Sequence, residues 1–121
     1  MNIIPIVKCR EIHESVSFYT RVLDFTHRGT WPPSGNPAFT ILIRDSGELH
    51  LSSHSGDGIC GNRFAIIVND IDGLFNKFIS RGLDTRKKES PVHQGPLDQS
   101  WGTREFYVDD PDGNIIRFIQ R

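Results

Sequence analysis

The chain has one strand whose polar side chains are of the types that bind metals. Glu48, His50 and His54 occupy alternate positions of a strand predicted over Glu48–His54, so they are expected on one face. Sites for zinc, iron, nickel or manganese take His and carboxylate ligands from several elements. One strand does not supply such a site by itself. We therefore expect a polar surface on this strand that faces solvent or a groove, with Ser52 and His54 as candidate ligand contacts.

Aromatic residues next to loops are the second group with a possible binding role. Trp101 follows the long polar loop Pro91–Gln99, and its wide, rigid, amphipathic ring suits stacking against a flat ligand. Trp31 precedes Pro32 and Phe39 follows Pro37, at the mouth of a predicted hairpin. The alternative for all three rings is a place in the hydrophobic core.

Length and charge exclude several classes of function. A chain of 121 residues with a formal net charge of −1 is sized for a single domain and has no field that favours nucleic acid or an anionic membrane. No export signal or membrane-spanning run is evident, which predicts a cytoplasmic protein. The cysteines, Cys9 and Cys60, form no CxxC motif and are expected to be buried thiols.

The elements that must position these residues repeat once along the chain. Apolar spacing and turn residues predict an α+β domain over 1–121 with internal repeats at about 1–56 and 61–121. The halves align at an offset of 59, and each follows a βαβββ plan. The first half is predicted as strand Ile3–Cys9, helix Ile12–Val22 and strands Phe25–Trp31, Ala38–Arg44 and Glu48–His54. The second is predicted as strand Arg63–Asn69, helix Ile71–Arg81, a strand near Leu83–Lys88, a loop and a closing hairpin.

Strand alternation also predicts which residues face the helices and which face a groove. The helix-facing set is expected to be Phe64, Ile66, Val68, Ile116 and Phe118. The groove-facing set is expected to be Arg63, Ala65, Ile67, Arg117 and Ile119.

The closing hairpin, with its Asp110-Pro111-Asp112-Gly113-Asn114 turn, resembles that of the glyoxalase/bleomycin-resistance (vicinal oxygen chelate) superfamily. The run Ser15–Tyr19 with Leu23-Asp24-Phe25 is similar to the family's first helix and its exit. The resemblance implies two βαβββ repeats that form a concave mixed sheet with helices on the outer face. It also implies four metal-ligand positions, which here fall on Ile4, Leu51, Arg63 and Arg117. None is a normal ligand, although a one-residue slip brings His50 into the place of Leu51.

Two further segments resemble the metal-free, bleomycin-resistance branch of that family. Ile4-Pro5-Ile6-Val7 is similar to the branch's opening strand, and Gln99–Phe106 is similar to its Q-P-W-G-x-R-E-F segment. The resemblance implies a homodimer, with the N-terminal strand exchanged in that branch, and a groove in which Trp101 stacks on a bleomycin-like antibiotic or another aromatic compound. It implies no cofactor, no metal and no catalytic residue. The predicted ligand-binding residues are Trp101, Trp31, Phe39, Ser52, His54, Arg63, Ile67, Tyr107 and Arg117.

Alternatives remain open at this point. Arg63 and Arg117 can bind an anionic ligand or form structural ion pairs with Glu105 or Glu48, and ion pairing is the expected role. A net charge of −1 with two arginines in the groove departs from the acidic character of bleomycin binders. The rival function is a metal-dependent lyase of the lactoylglutathione type, a thiol transferase acting on an antibiotic epoxide, or a ring-cleaving dioxygenase. A third is a module that binds no small molecule.

Overall fold

The computed structural model describes residues 1–86 and 93–121, and it contains the predicted βαβββ plan twice. The first repeat consists of β1 (Ile6–Lys8), α1 (Ile12–Arg21), β2 (Thr26–Trp31), β3 (Phe39–Arg44) and β4 (Gly47–Ser52). The second consists of β5 (Arg63–Ile67), α2 (Ile71–Ser80), β6 (Leu97–Asp98), β7 (Arg104–Asp109) and β8 (Ile115–Gln120). Within these ranges no helix is long and apolar enough to cross a membrane.

Each repeat forms its own four-stranded mixed sheet, and the two sheets have the same strand order. That order is β1-β4-β3-β2 in the first repeat and β5-β8-β7-β6 in the second. In both, the first strand runs parallel to the last, so Ile6 lies opposite His50 and Ala65 lies opposite Arg117. The predicted α+β architecture of two repeats is confirmed.

The chain divides into two compact units that nearly match the repeats. The first contains Met1–Asn62 together with the turn Asp110–Asn114, and the second contains Arg63–Asp109 and Ile115–Arg121. The turn is held in the first unit by buried polar contacts. The Tyr19 hydroxyl donates to Asp110 Oδ2 at 2.8 Å, and Asn114 Oδ1 accepts from the backbone N–H of Asn62 at 2.9 Å.

The core of the first unit lies between α1 and one face of its sheet. Ile12, Tyr19, Leu42 and Leu51 are among its fully buried side chains. Cys9 is also fully buried, as expected, and burial raises the pKa of its thiol to about 11. Cys60 is only partly buried, so the expectation of burial was wrong for the second cysteine.

The core of the second unit is built on stacked phenylalanines. Phe106 and Phe118 stack with ring centres 5.0 Å apart, and Phe78 of α2 meets Phe118 edge-on at 5.2 Å. The predicted alternation holds, because Ile116 and Phe118 are fully buried while Arg63, Ala65 and Ile67 are exposed. The helix thus covers one face of the sheet, and Arg63 and Arg117 lie on the other.

Several predicted boundaries were wrong. β1 begins at Ile6 rather than Ile3, and β4 ends at Ser52, which leaves His54 outside the strand. The strand predicted near Leu83–Lys88 does not form over residues 83–86, and residues 87 and 88 lie outside the described part of the chain. The second strand of the second repeat is Leu97–Asp98 instead, and it pairs with β7. A two-residue strand has no alternating pattern to reveal it, so only its partner defines it.

Candidate functional site

The open face of the second sheet contains a shallow depression of about 240 Å³. Three residues with polar side chains line it, Arg63, Tyr107 and Arg117, together with the apolar residues Phe64, Ala65 and Ile115. Its volume is below the ~300–1,000 Å³ of pockets that enclose a drug-sized molecule. This depression therefore has room for part of such a ligand.

Arg117 is fixed in the depression by a two-point ion pair with Glu105. Its Nε donates to Oε1 of Glu105 at 2.7 Å and its Nη2 donates to Oε2 at 2.9 Å. The Glu105 side chain is 1% exposed, and the Arg117 guanidinium holds the pKa of this carboxyl below its usual range. Ion pairing was the expected role of both arginines. It is confirmed for Arg117, whereas the side chain of Arg63 has no hydrogen-bond or ion-pair partner among the residues that the structure describes.

Trp101 lies on the surface beside this ion pair. Its residue is 63% exposed, which excludes the alternative of a tryptophan in the core. The indole Nε1–H nevertheless donates to Glu105 Oε2 at 3.2 Å, and the Arg117 guanidinium carbon lies 5.9 Å from the ring centre. Thr103 donates its hydroxyl to the same carboxylate. The buried Glu105 carboxylate therefore holds the large, exposed Trp101 ring in place.

Tyr107 has an aromatic neighbour that the sequence did not predict. The imidazole of His93 meets its ring edge-on, with centres 5.0 Å apart. His93 is held in turn through Nδ1, 3.0 Å from the Gly95 carbonyl oxygen. Its place in an irregular loop left no periodic signal that could have assigned it to this face.

The first sheet presents a separate aromatic cluster on its own open face. Trp31 stacks on Phe39 with ring centres 5.4 Å apart, and Phe39 meets the His50 imidazole edge-on at 5.5 Å. The Trp31 ring lies directly over Gly29, where a Cβ atom would be only 2.5 Å from Trp31 Cη2. Trp31 remains 50% exposed. Both predicted aromatic residues therefore lie side by side at the surface of the first unit.

The same face holds the polar pair Glu48 and His50. His50 Nε2 lies 2.5 Å from Glu48 Oε2. At the repeat offset of 59, Ile6 corresponds to Ala65, so the strand register makes His50 the counterpart of Arg117. The prediction that Leu51 is this counterpart was wrong, because Leu51 faces the core and is fully buried.

Across residues 1–86 and 93–121, no three His, Cys, Asp or Glu side chains come together in a way that could hold a metal ion.

The remaining predicted ligand contacts differ in accessibility. Ser52 is 1% exposed, and its hydroxyl donates to Asp57 Oδ2 at 2.5 Å. His54 is exposed beyond the end of β4, so it does not share the strand face of Glu48 and His50 as predicted. Ile67 is 51% exposed at the end of β5, on the face that holds Arg63.

Comparison with known proteins identifies the family of this fold. Residues 6–118 match the model of the Glyoxalase/Bleomycin resistance protein/Dioxygenase superfamily. The chain belongs to this superfamily. The resemblance found in the sequence is thereby confirmed.

Similar proteins include bleomycin resistance proteins. Those of Geobacillus stearothermophilus and Staphylococcus aureus (strain N315) are each 26% identical over 140 residues, covering 98% of this chain and 95% of the relative. A bleomycin resistance determinant encoded on the transposon Tn5 has the same fold, with a TM-score of 0.79 at 22% identity over 100% of this chain and 98% of that one. The bleomycin-binding protein of Streptomyces verticillus, solved with copper(II)-bleomycin, has a TM-score of 0.74 at 26% identity, covering 98% of this chain and 93% of that chain.

Proposed function

We propose that this chain is a metal-free protein that binds a small molecule without turnover. The proposed ligand is an antibiotic of the bleomycin type or another flat aromatic compound, which the protein sequesters. Relatives that match nearly the whole chain are bleomycin resistance proteins, which supports this class of function. Cys9 and Cys60 are both free thiols, as suits a reducing compartment, and we place the protein in the cytoplasm.

The observation that supports this proposal most strongly is the state of Trp101. Trp101 is 63% exposed, so most of its surface is open to a ligand, yet its ring is fixed by Glu105 and Arg117. A ring fixed before binding loses less conformational entropy when a ligand stacks on it. Such an exposed, ordered plate is suited to a flat aromatic partner. In the first unit, the stacked pair Trp31 and Phe39 offers a second surface of the same kind.

The residues at the family's metal-ligand positions support binding without a metal. Arg117 follows the closing turn where the metal-dependent members have a Glu ligand, and a guanidinium has no lone pair to donate. Its ion pair with Glu105 also engages both carboxylate oxygens of that acid. The side chains of Ile4 and Arg63 likewise have no lone pair that could bind a metal. Glu48 and His50 are two donors on a single strand, fewer than the three protein ligands of a catalytic zinc site.

We further propose that two chains associate to complete the groove. The depression of about 240 Å³ on the second sheet is too small to enclose a drug-sized ligand alone. Near the N-terminus, Ile3, Ile4 and Ile6 are 86%, 37% and 53% exposed. β1 is an edge strand of the first sheet, and an exposed apolar edge favours pairing with a second chain.

Replacing Trp101 with alanine tests the proposal. Stacking on an aromatic side chain contributes about 1–3 kcal/mol, so Trp101→Ala should weaken ligand binding by roughly ten- to a hundredfold. The measurement is a calorimetric titration of the metal-stripped protein with bleomycin and with a neutral flat aromatic, naphthamide. Ile79→Ala, on the exposed side of α2, removes apolar surface from the same unit and should leave the affinity unchanged.

Two outcomes would contradict the proposal. Equal affinities of wild type and Trp101→Ala would remove Trp101 from the site. Elemental analysis of protein purified without chelator supplies an independent check on the class of function. Stoichiometric zinc, nickel, manganese or iron would favour the metal-dependent enzymes of the superfamily.

A further inference from the structure

The charges in the depression on the second sheet are not balanced. Its lining contains two guanidinium groups, Arg63 and Arg117, and one phenol, Tyr107, while the remaining wall is apolar. None of its lining residues is an acid. Whatever occupies this depression therefore meets hydrogen-bond donors on a positively charged surface.

Only one of the two arginines is neutralised. Glu105 forms a two-point ion pair with Arg117, at 2.7 and 2.9 Å, and its oxygens also accept hydrogen bonds from Trp101 and Thr103. Arg63 is exposed, and no acid pairs with it among residues 1–86 and 93–121. The depression thus retains about one unit of positive charge, located on Arg63.

The two guanidinium groups are placed to share one anionic group. Ala65 lies opposite Arg117 in the parallel register of β5 and β8, and Arg63 precedes Ala65 by two residues on the same face. Adjacent strands lie about 4.8 Å apart and residues two apart on one strand are separated by about 6.6 Å, so the Cα atoms of Arg63 and Arg117 are expected roughly 8 Å apart, within reach of two long side chains. Arg117 uses Nε and Nη2 for Glu105, which leaves Nη1 available. Tyr107, whose hydroxyl can act as a third donor, also lines the depression.

An aromatic surface adjoins this anion site. The Trp101 ring centre lies 5.9 Å from the guanidinium carbon of Arg117. A flat ring that contacts Trp101 on the side next to Arg117 would hold its substituent toward the depression that Arg117 shares with Arg63. The arrangement matches a flat ring that bears an oxyanion better than it matches a cationic ligand.

We propose that the ligand of this protein is an aromatic oxyanion, with its ring on Trp101 and its carboxylate or similar group between Arg63 and Arg117. This proposal builds on the function proposed above and adds the charge of the ligand. Arg63 determines specificity, because it is the unpaired charge. Arg117 mainly positions the site, since Glu105 already balances it.

Three probes with the same ring and different charge test the proposal: naphthoate, naphthamide and naphthylmethylamine. Wild-type protein should bind naphthoate about tenfold or more tighter than naphthamide, as expected for a charge-assisted hydrogen bond. Naphthylmethylamine should bind most weakly. Arg63→Gln should lower the naphthoate affinity to that of naphthamide and leave naphthamide unaffected. Higher ionic strength should weaken naphthoate binding in wild type, because an exposed charge is screened by salt.

Lys77→Gln is the matched control. It removes one positive charge from α2, which packs on the opposite face of the same sheet through Phe78 and Phe118, and it should preserve the preference for naphthoate. The charge inference is overturned if naphthoate and naphthamide bind equally, if the amine binds best, or if Arg63→Gln weakens both probes alike. In those cases aromatic binding itself still stands. If none of the three probes and no bleomycin binds, the proposed function fails with it.

Discussion

At the scale of residues, the site on the second sheet depends on Glu105. This buried acid accepts hydrogen bonds from Trp101, Thr103 and Arg117, so it fixes both the aromatic ring and the cation beside it. The sequence predicted an ion pair for Arg117 and offered Glu105 as one of two acids for it. The bond to Trp101 was not predictable, because the path of the chain between them turns at Gly102, whose φ of 98° no periodic pattern encodes.

Glu105→Gln should destabilise the fold and release Trp101. With its counter-ion gone, Arg117 loses a charged partner, and we expect the free energy of unfolding to fall by about 1–2 kcal/mol at pH 7, discounted for the partial exposure of Arg117. Urea unfolding followed by tryptophan fluorescence measures both effects. Glu14→Gln, an exposed acid on α1, is the control and should change stability little.

The pH dependence of that difference has a definite sign. Arg117 lowers the pKa of Glu105, so the ionised acid stabilises the fold above the ordinary glutamate pKa of about 4.3. This contribution is lost as the pH falls through the lower folded-state pKa. The stabilities of wild type and Glu105→Gln should therefore converge in acid. A difference that stays constant from neutral pH to pH values well below 4.3 would contradict this account.

At the scale of elements, the strands with a regular apolar alternation were predicted and the irregular one was not. Burial of Phe118 and exposure of Arg63 follow directly from the period of two in β8 and β5. β6 has only two residues and exists through its pairing with β7, so its position could not be derived from its own sequence. In β4 the predicted counterpart of Arg117 was Leu51, one residue away from His50, which the strand register makes the true counterpart. Neighbouring residues of a strand point to opposite faces, so this error of one residue selected a buried side chain in place of a groove-facing one.

The turn Asp110–Asn114 is held in part by one buried hydrogen bond, from the hydroxyl of Tyr19. Tyr19→Phe removes the hydroxyl that donates to buried Asp110 at 2.8 Å. Burial already raises the pKa of this carboxyl, and losing a donor should cost about 1–2 kcal/mol of unfolding free energy. Tyr107→Phe removes the same atom from a partly exposed ring and should be nearly neutral. Equal stability of the two variants in urea unfolding would show that the turn does not depend on this bond.

At the scale of the whole molecule, the sequence predicted the family and the repeat, because the closing turn and the two helices lie in recognisable order. It predicted the state of assembly from that resemblance and from the open sheet edges that such a fold leaves. Exposed Ile3, Ile4 and Ile6 are compatible with a covered N-terminal strand, but local pattern alone does not distinguish a self-association surface from an ordinary exposed edge.

Sedimentation equilibrium at micromolar concentration tests the assembly. We expect a homodimer for wild type, and Ile6→Lys should shift it toward monomer because a charge replaces apolar surface on edge strand β1. Ile59→Lys makes the same change at a residue that is 77% exposed outside the strands and should leave the dimer intact. A wild-type protein that sediments only as a monomer would contradict the proposed association.

The central claim is reversible binding of an aromatic ligand without metal and without turnover. The most direct measurement strips the protein of metal, titrates it with bleomycin and with naphthoate, and recovers each ligand for mass spectrometry. We predict saturable binding of at least one of them, equal affinity before and after metal removal, and a recovered ligand of unchanged mass. Binding that returns only when a divalent metal is added, or a ligand recovered with altered mass, would contradict it.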